Sequence, residues 1–314
     1  MASYILKRLL MAVVVVFLVS LLSFMLLQMV PGDPVVTMLG IDAPQAQVDA
    51  LRAELWLDRP PLIQYVHWMA NIFKGDFGKS LMYRESVTSL IAKRLPVTLH
   101  LSALAIILSA ILGVGGGIVC ALRRGSFLDQ IISVLANVGI AIPIFWLGIL
   151  GVYFFGLYLK WLPIMGYTSP MEDFVQSTKQ LIMPVICLSL TSLAMMIRQT
   201  RSSMLEVVRQ DYIRTAWSKG LTERVVILRH ALKNALIPIV TLLGMGIPVL
   251  IGGSVLIETV FNIPGMGRLL VRAVFDKDYI IVQAGVLVIS IFIAVINLLV
   301  DISYGWLDPR IRYQ

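Results

Sequence analysis

The sequence predicts an all-α, polytopic integral membrane protein, with six transmembrane helices and both termini on the cytoplasmic face. Three observations carry this. Of the 314 residues, 58% are hydrophobic and 14% charged, with a mean hydropathy of +0.87, against roughly 45–50% and 25% in soluble domains. Six apolar stretches are long enough to cross a hydrocarbon core of about 30 Å at about 1.5 Å per residue. Lys and Arg also segregate to one side of these stretches. The inner segments carry 14 basic and six acidic residues and the outer ones 12 of each, so the whole net charge of +8 lies inside, as the positive-inside rule requires.

The stretches are 9–30, 99–122, 131–159, 181–197, 236–257 and 280–302. The first follows Lys7-Arg8 and is longer than a signal-peptide core of about 7–15 residues. With no small-x-small cleavage pattern before Pro31-Gly32-Asp33-Pro34, it is expected to remain as a span. Residues 31–97 form the external loop region, read as short amphipathic helices punctuated by Pro60-Pro61 and by the turn Gly75-Asp76-Phe77-Gly78.

The second stretch contains Gly113 and Gly115-Gly116-Gly117, and the fifth contains Gly244, Gly246, Pro248 and Gly252-Gly253. Small residues let helix backbones approach closely in lipid. The prolines Pro143 and Pro248 leave open a bendable wall around a buried cavity. The inner turn Arg123-Arg124-Gly125-Ser126 is short and implies antiparallel neighbours.

After the fourth stretch the chain turns polar and basic. Residues 198–235 hold eight Lys or Arg and three acids, and a charge at mid-bilayer costs about 2.5 kcal/mol or more, so the segment is cytoplasmic. Leu205, Val208, Tyr212 and Ala216 recur at helical spacing. Gly220 is placed as a helix terminator, and a second run from Thr222 carries Val225, Leu228 and Leu232 on one side. The product is a helix, a glycine turn and a helix: a protruding elbow.

Several functions are disfavoured. No stretch has an ionisable residue at mid-depth; Glu258 and Asp301 fall near the ends, where snorkelling or capping accounts for them. This argues against the alternative of an autonomous channel or ion-coupled carrier. Gly78-Lys79-Ser80 lacks the earlier glycine of a phosphate loop, since Phe73 stands there. No catalytic constellation appears, so neither an enzyme nor ATP hydrolysis is expected in this chain. Cys120 and Cys187 fall within spans and read as packing residues. His67, His100 and His230 lie on separate segments, so no metal or other cofactor is expected. Basic residues interleaved with aromatics on a soluble face are absent, which excludes nucleic acid as a partner.

The elbow carries the strings Ser203-Met204-Leu205-Glu206-Val207, Asp211-Tyr212-Ile213-Arg214-Thr215-Ala216, Lys219-Gly220-Leu221 and Arg229-His230-Ala231-Leu232, followed by Asn234-Ala235-Leu236-Ile237-Pro238. Elsewhere stand Pro31-Gly32-Asp33-Pro34, Gly75-Asp76-Phe77-Gly78, Pro143-Ile144-Phe145-Trp146, Glu258-Thr259-Val260-Phe261, Pro264-Gly265-Met266-Gly267-Arg268 and Asp308-Pro309-Arg310-Ile311-Arg312. On these strings the whole chain resembles the permease subunits of ATP-binding-cassette importers of the peptide and nickel family. It departs from the general cytoplasmic signature of those permeases, keeping only Ala216 and Gly220 of the first half and Lys233 in place of a proline. Ile263 and Ile280 replace the usual Trp and Pro.

The resemblance implies one permease domain over 1–314, in the bacterial inner membrane. It would form half of a pathway with a second, similar permease, two cytoplasmic ATPases that hold ATP and Mg, and an external substrate-binding protein. Peptides are the commonest substrate, with nickel, glutathione and oligosaccharide as alternatives. In the elbow, Gly220 would permit the turn and Ala216 and Leu221 would pack into the ATPase. Arg214, Lys219 and Arg224 would make polar contacts around them, with Thr215 and Glu223 in the same segment. Pro264, Gly265 and Gly267, in the connection 257–277, are a candidate outer gate or an ordinary loop.

Overall fold

The computed structural model describes residues 2–29, 34–40, 42–54, 56–80 and 82–307. The strings at 31–33 and 308–312 lie outside the described residues. The chain divides into two compact units, one of Thr98–Ile263 with Ile296–Gln314 and the other of Ala2–Val97 with Pro264–Val295. All regular structure among the described residues is helical apart from one isolated bridge, Lys79 to Ser86.

In the unit that begins at Ala2, α1 (Ala2–Gln28) is apolar on all sides, as a lipid-facing span should be. Two short helices follow, α2 (Pro34–Leu39) and α3 (Gln45–Glu54), and then α4 (Pro61–Phe73). Pro61 opens α4 because the first helical position needs no amide hydrogen. The buried Tyr65 of α4 packs edge-on against Phe24, and its hydroxyl lies 2.7 Å from Ser20 Oγ. The turn after α4 needs left-handed backbone at Gly75 (φ +82°) and Gly78 (φ +87°), and Gly78 lies directly under Ile280. Ser80 donates to Asp278 at 2.6 Å, with both residues buried. Lys93 and Ser89 both donate to the Glu85 carboxylate, which holds it below its usual pKa.

Helix α5 (Val87–Leu122) starts twelve residues before the expected 99. Its first turns, α12 (Met266–Phe275) and the start of α13 (Tyr279–Leu307) enclose a core of Val87, Leu90, Ile91, Met266, Leu269 and Ile281. The connection 257–277, expected as a loop, is therefore largely helical.

The other unit holds the remainder of α5, then α6 (Phe127–Ala141), α7 (Ile144–Gly151) continuing as a π-helix over Val152–Tyr158, α8 (Phe174–Val207), α9 (Asp211–Ser218), α10 (Glu223–Val225) continuing as a π-helix over Val226–Ala231, and α11 (Leu232–Val260). Helices α5 and α8 run parallel. Gly113 lies against Met196, Gly116 against Ile197 and Gly117 against Thr200, so the two sequences advance together. His100 and Tyr167 meet at 3.1 Å towards the other end. The expectation that these glycines serve close helix packing holds at Gly113, Gly116 and Gly117, whereas a side chain at Gly115 would meet nothing within 4 Å.

The expected third span, 131–159, is not one straight helix. Ile142 takes an extended conformation before Pro143, as steric clash with a proline ring demands, and the segments on either side meet at 101°. Each half has 15 residues and reaches about 22 Å, too short to cross alone. Together they do cross. Parallel neighbours need a connection that returns along their length, and Asp129 of α6 bonds Arg201 near the end of α8 while Gly151 of α7 lies against Met183 near its start. With α1, α5, α8, α11 and α13 as unbroken candidates, the total is six. Helix α11 runs antiparallel to α8, with Gly246 facing Ser192 and Gly253 facing Leu188. Pro248 lies inside continuous α11 and does not break it.

Candidate functional site

The elbow is built by the ends of α8, α9 and α10. Arg198 and Arg201, assigned by sequence to the cytoplasmic loop, lie on α8, which continues to Val207. The chain turns at 208–210, where Arg209 and Gln210 bond back to Glu206 and Val207. Helix α9 then runs to Ser218, and Gly220 closes it with φ +73° and its amide on the Trp217 carbonyl at 2.9 Å. No atom lies within 4 Å of a Cβ built at Gly220, so glycine is needed there for its backbone conformation and not for space. Thr222 starts α10, which passes through the π-helix directly into α11. The second arm of the elbow is thus continuous with a membrane helix.

The two apolar stripes expected from helical spacing are corrected. The buried residues are Met204, Ile213, Ala216, Val226, Ile227, Ala231 and Ala235. Val208 and Tyr212 are exposed, as are Val225 and Leu228. Two breaks in the α-period cause this: the 208–210 turn resets the phase of α9, and the wider π-turn rotates the residues that follow it. The elbow's core packs on Ile118 and Ala121 at the end of α5. Asn234 of α11 donates to the Tyr212 hydroxyl at 2.8 Å and ties the arms together.

Of the predicted site residues, Arg214, Thr215, Lys219, Gly220, Glu223 and Arg224 are exposed and Leu221 is half-buried. Arg214 lies 3.6 Å from Asp211 with both side chains largely in solvent, a contact worth little. Ala216 is 6% exposed and belongs to the elbow's own core, which corrects the expectation that it fills a partner's groove. Trp217, which the periodicity passed over, is 43% exposed and lines a recess of about 200 Å³ together with Leu205, Val208 and Glu223.

A second recess, of about 760 Å³, opens between α6, α8 and α11, and its lining mixes polar residues, among them Ser133, Asn137, Arg198 and Arg201, with apolar ones such as Met195 and Leu242. Arg201, which also lines this recess, belongs to an ion pair that sequence reasoning missed. Arg201 Nε and Nη2 donate to the two carboxylate oxygens of Asp129 at 2.8 and 2.9 Å, and the Asp129 side chain is 6% exposed. The partners are 72 residues apart, and the only signal in the sequence is an acid inside an otherwise basic inner turn.

At the candidate gate, Gly265 and Gly267 are buried and Met266 opens α12 between them. Pro264 accepts a hydrogen bond from Arg94 at 3.4 Å. Glu258, expected to snorkel or cap, is fully buried instead, and it accepts from Thr98 at 2.6 Å and from Ser254 at 3.2 Å. Thr98→Val removes one of these donors and is expected to destabilise the protein by about 1–2 kcal/mol, read from the thermal unfolding of the purified protein.

Residues 113–313 match the family described as the binding-protein-dependent transport system inner membrane component, and residues 1–102 match the N-terminal region of the same systems. The chain belongs to this family. Among its relatives, a "probable peptide ABC transporter permease" of Sinorhizobium fredii is 42% identical over the full length of both chains. The di/tripeptide transport system permease of Pseudomonas aeruginosa is 38% identical, again with complete coverage of both. A chain of the MetNI methionine ABC transporter, solved in inward-facing conformations, superposes with a TM-score of 0.58 over 70% of this chain and 96% of its own, at 16% identity. A second crystal form gives 0.55 with the same coverage. At that identity the likeness concerns the fold.

This inner-membrane component is thus a multi-pass permease subunit of an ABC importer, and not itself an enzyme. Its family implies an ATPase and a substrate-binding protein as partners. The elbow is a hairpin of helices with its charged residues exposed.

Proposed function

We propose that this permease carries di- or oligopeptides inward, forming half of a pathway with a second, similar permease, and that two cytoplasmic ATPases drive it through the elbow. The observation that carries the peptide reading is full-length similarity to permeases named for peptide and di/tripeptide transport. Nickel, glutathione and oligosaccharide remain the alternative cargoes.

ATP and Mg belong to the partner ATPases, and no cofactor is assigned to this chain. Arg214, Thr215, Lys219, Leu221, Glu223 and Arg224 form the docking ridge, and Gly220 sets its apex. Binding of ATP draws the ATPases together, the ridge moves with them, and the pathway between the two permeases alternates between its inner and outer openings. The recess at Ser133, Asn137 and Arg198 supplies part of the inner end of that pathway, because it gathers polar and charged side chains beside apolar ones in an otherwise apolar bundle. At the outer end Pro264, Gly265 and Gly267 act as the gate. Both glycines are buried, so the gate moves with α12 as a body.

The test is a mild-detergent pull-down of the tagged chain, with single cysteines at Arg214 and Arg224 for crosslinking and mass spectrometry of retained ligand. Recovery of two ATPases, a sister permease and a binding protein, with both cysteines crosslinked to ATPase and a peptide retained, is the expected result. Recovery of the chain alone under crosslinking overturns the reading, and a retained metal complex or sugar overturns its peptide part.

A further inference from the structure

We propose that Asp129 and Arg201 form the joint through which movement of the elbow reaches the broken third span; the inference rests on the reading of the elbow as the ATPase contact. Arg201 stands near the inner end of α8, within one turn of Ser203, which is buried, and of Met204, which belongs to the elbow's core. Asp129 stands in the first turn of α6. Its carboxylate accepts both arms of the guanidinium fork and also the Gly125 amide at 3.0 Å, while its own amide donates to Ser126 Oγ at 3.3 Å. Ser133, one turn along α6, donates to the same carboxylate at 3.5 Å. The acid is therefore locked to the 125–129 turn from one side and to α8 from the other.

Apolar contacts between α6 and α8, such as Ile132, Ala136 and Ile140 against Leu193, Ala194 and Ile197, permit one helix to slide on the other. A two-point fork fixes distance and plane together and does not. A shift of the inner end of α8 is thus carried to α6. Helix α6 ends at Ile142-Pro143, where the span bends by 101° and α7 begins. Helix α6 then acts as a lever, with the proline break as its pivot and Asp129 as the point where force enters. Both act here as positioning residues: Asp129 is buried, and Arg201, although it borders the recess, spends both arms of its fork on Asp129.

The experiment uses the complete complex in proteoliposomes, supplied with its binding protein and a labelled dipeptide mixture. It reads peptide moved per ATP hydrolysed, ATPase retained in the complex, and thermal midpoint. Arg201→Lys keeps the charge and loses the fork; the expected result is an assembled complex with hydrolysis preserved and peptide per ATP lowered by about threefold or more. The pair D129N/R201Q removes both charges, so that no unpaired buried charge remains. It is expected to assemble with equally poor coupling. Unchanged peptide per ATP in either assembled variant overturns the proposal, and loss of assembly in both means that the pair serves only to build the complex, which also overturns it. If the wild-type complex contains no ATPase, the reading of the elbow fails instead, a separate and distinguishable result.

Discussion

Gly117→Ala is expected to destabilise the permease by about 2–3 kcal/mol, although alanine is the better helix former by about 1 kcal/mol. The added methyl would overlap the side chain of Thr200 and lie 2.8 Å from the backbone carbonyl of Ile197, which no rotamer change can move. Helices α5 and α8 would have to separate along a seam that also includes Gly113 and Gly116. Gly115→Ala, two residues away on an exposed face with nothing within 4 Å, is expected to be neutral or stabilising by up to about 1 kcal/mol. Opposite signs for the same substitution in the same helix would be read from urea or thermal unfolding of the two purified variants. Equal effects would mean that α5 and α8 do not pack through Gly117.

Gly220→Val is expected to leave the amount of permease in the membrane unchanged and to lower peptide transport per ATP about tenfold or more. A left-handed residue with a side chain costs about 1–2 kcal/mol, and a β-branched one suffers most. The turn is exposed and nothing packs over it, so the strain reshapes the apex of the elbow without unfolding the bundle. Asparagine tolerates this conformation better than alanine, and alanine better than valine. Coupling should therefore decline in that order, measured as dipeptide uptake against phosphate release in proteoliposomes. A parallel fall in membrane abundance across the series would assign Gly220 to folding and not to coupling.

Much of this molecule follows from local sequence. Membrane residence, the six crossings, the cytoplasmic placement of the basic segment and the glycine turn at 220 each depend on features confined to one stretch of chain, so composition and spacing are enough. The family strings are legible for the same reason. Helix ends were less legible. Helices α5 and α8 extend well past their apolar stretches because polar residues continue a helix once it is nucleated, and hydropathy records the lipid boundary and not the end of the hydrogen-bond ladder.

The site divides in the same way. Arg214, Lys219 and Gly220 are legible as elbow residues from charge and turn chemistry, and Arg224 joins them through the family resemblance. Which face of each arm is buried is not legible there, because the 208–210 turn and the π-helix at Val226–Ala231 interrupt a period that pattern reading assumes to be continuous. Ala216 moved from a partner contact to an internal one for that reason.

By itself, then, the sequence determined that this chain is a helical membrane protein with a basic elbow outside the bilayer, since burial in lipid and exposure to water are properties of each segment taken alone, and its family strings added the permease reading. Only the tertiary structure decided that Asp129 clasps Arg201, that Glu258 is buried on Thr98 and Ser254, and that the third span crosses as two halves bent at 101°. The ion pair and the Thr98 contact join residues 72 and 160 positions apart, and the bend is fitted to neighbours on both sides. Such pairings are fixed by how helices pack, and no period or composition within one segment encodes them.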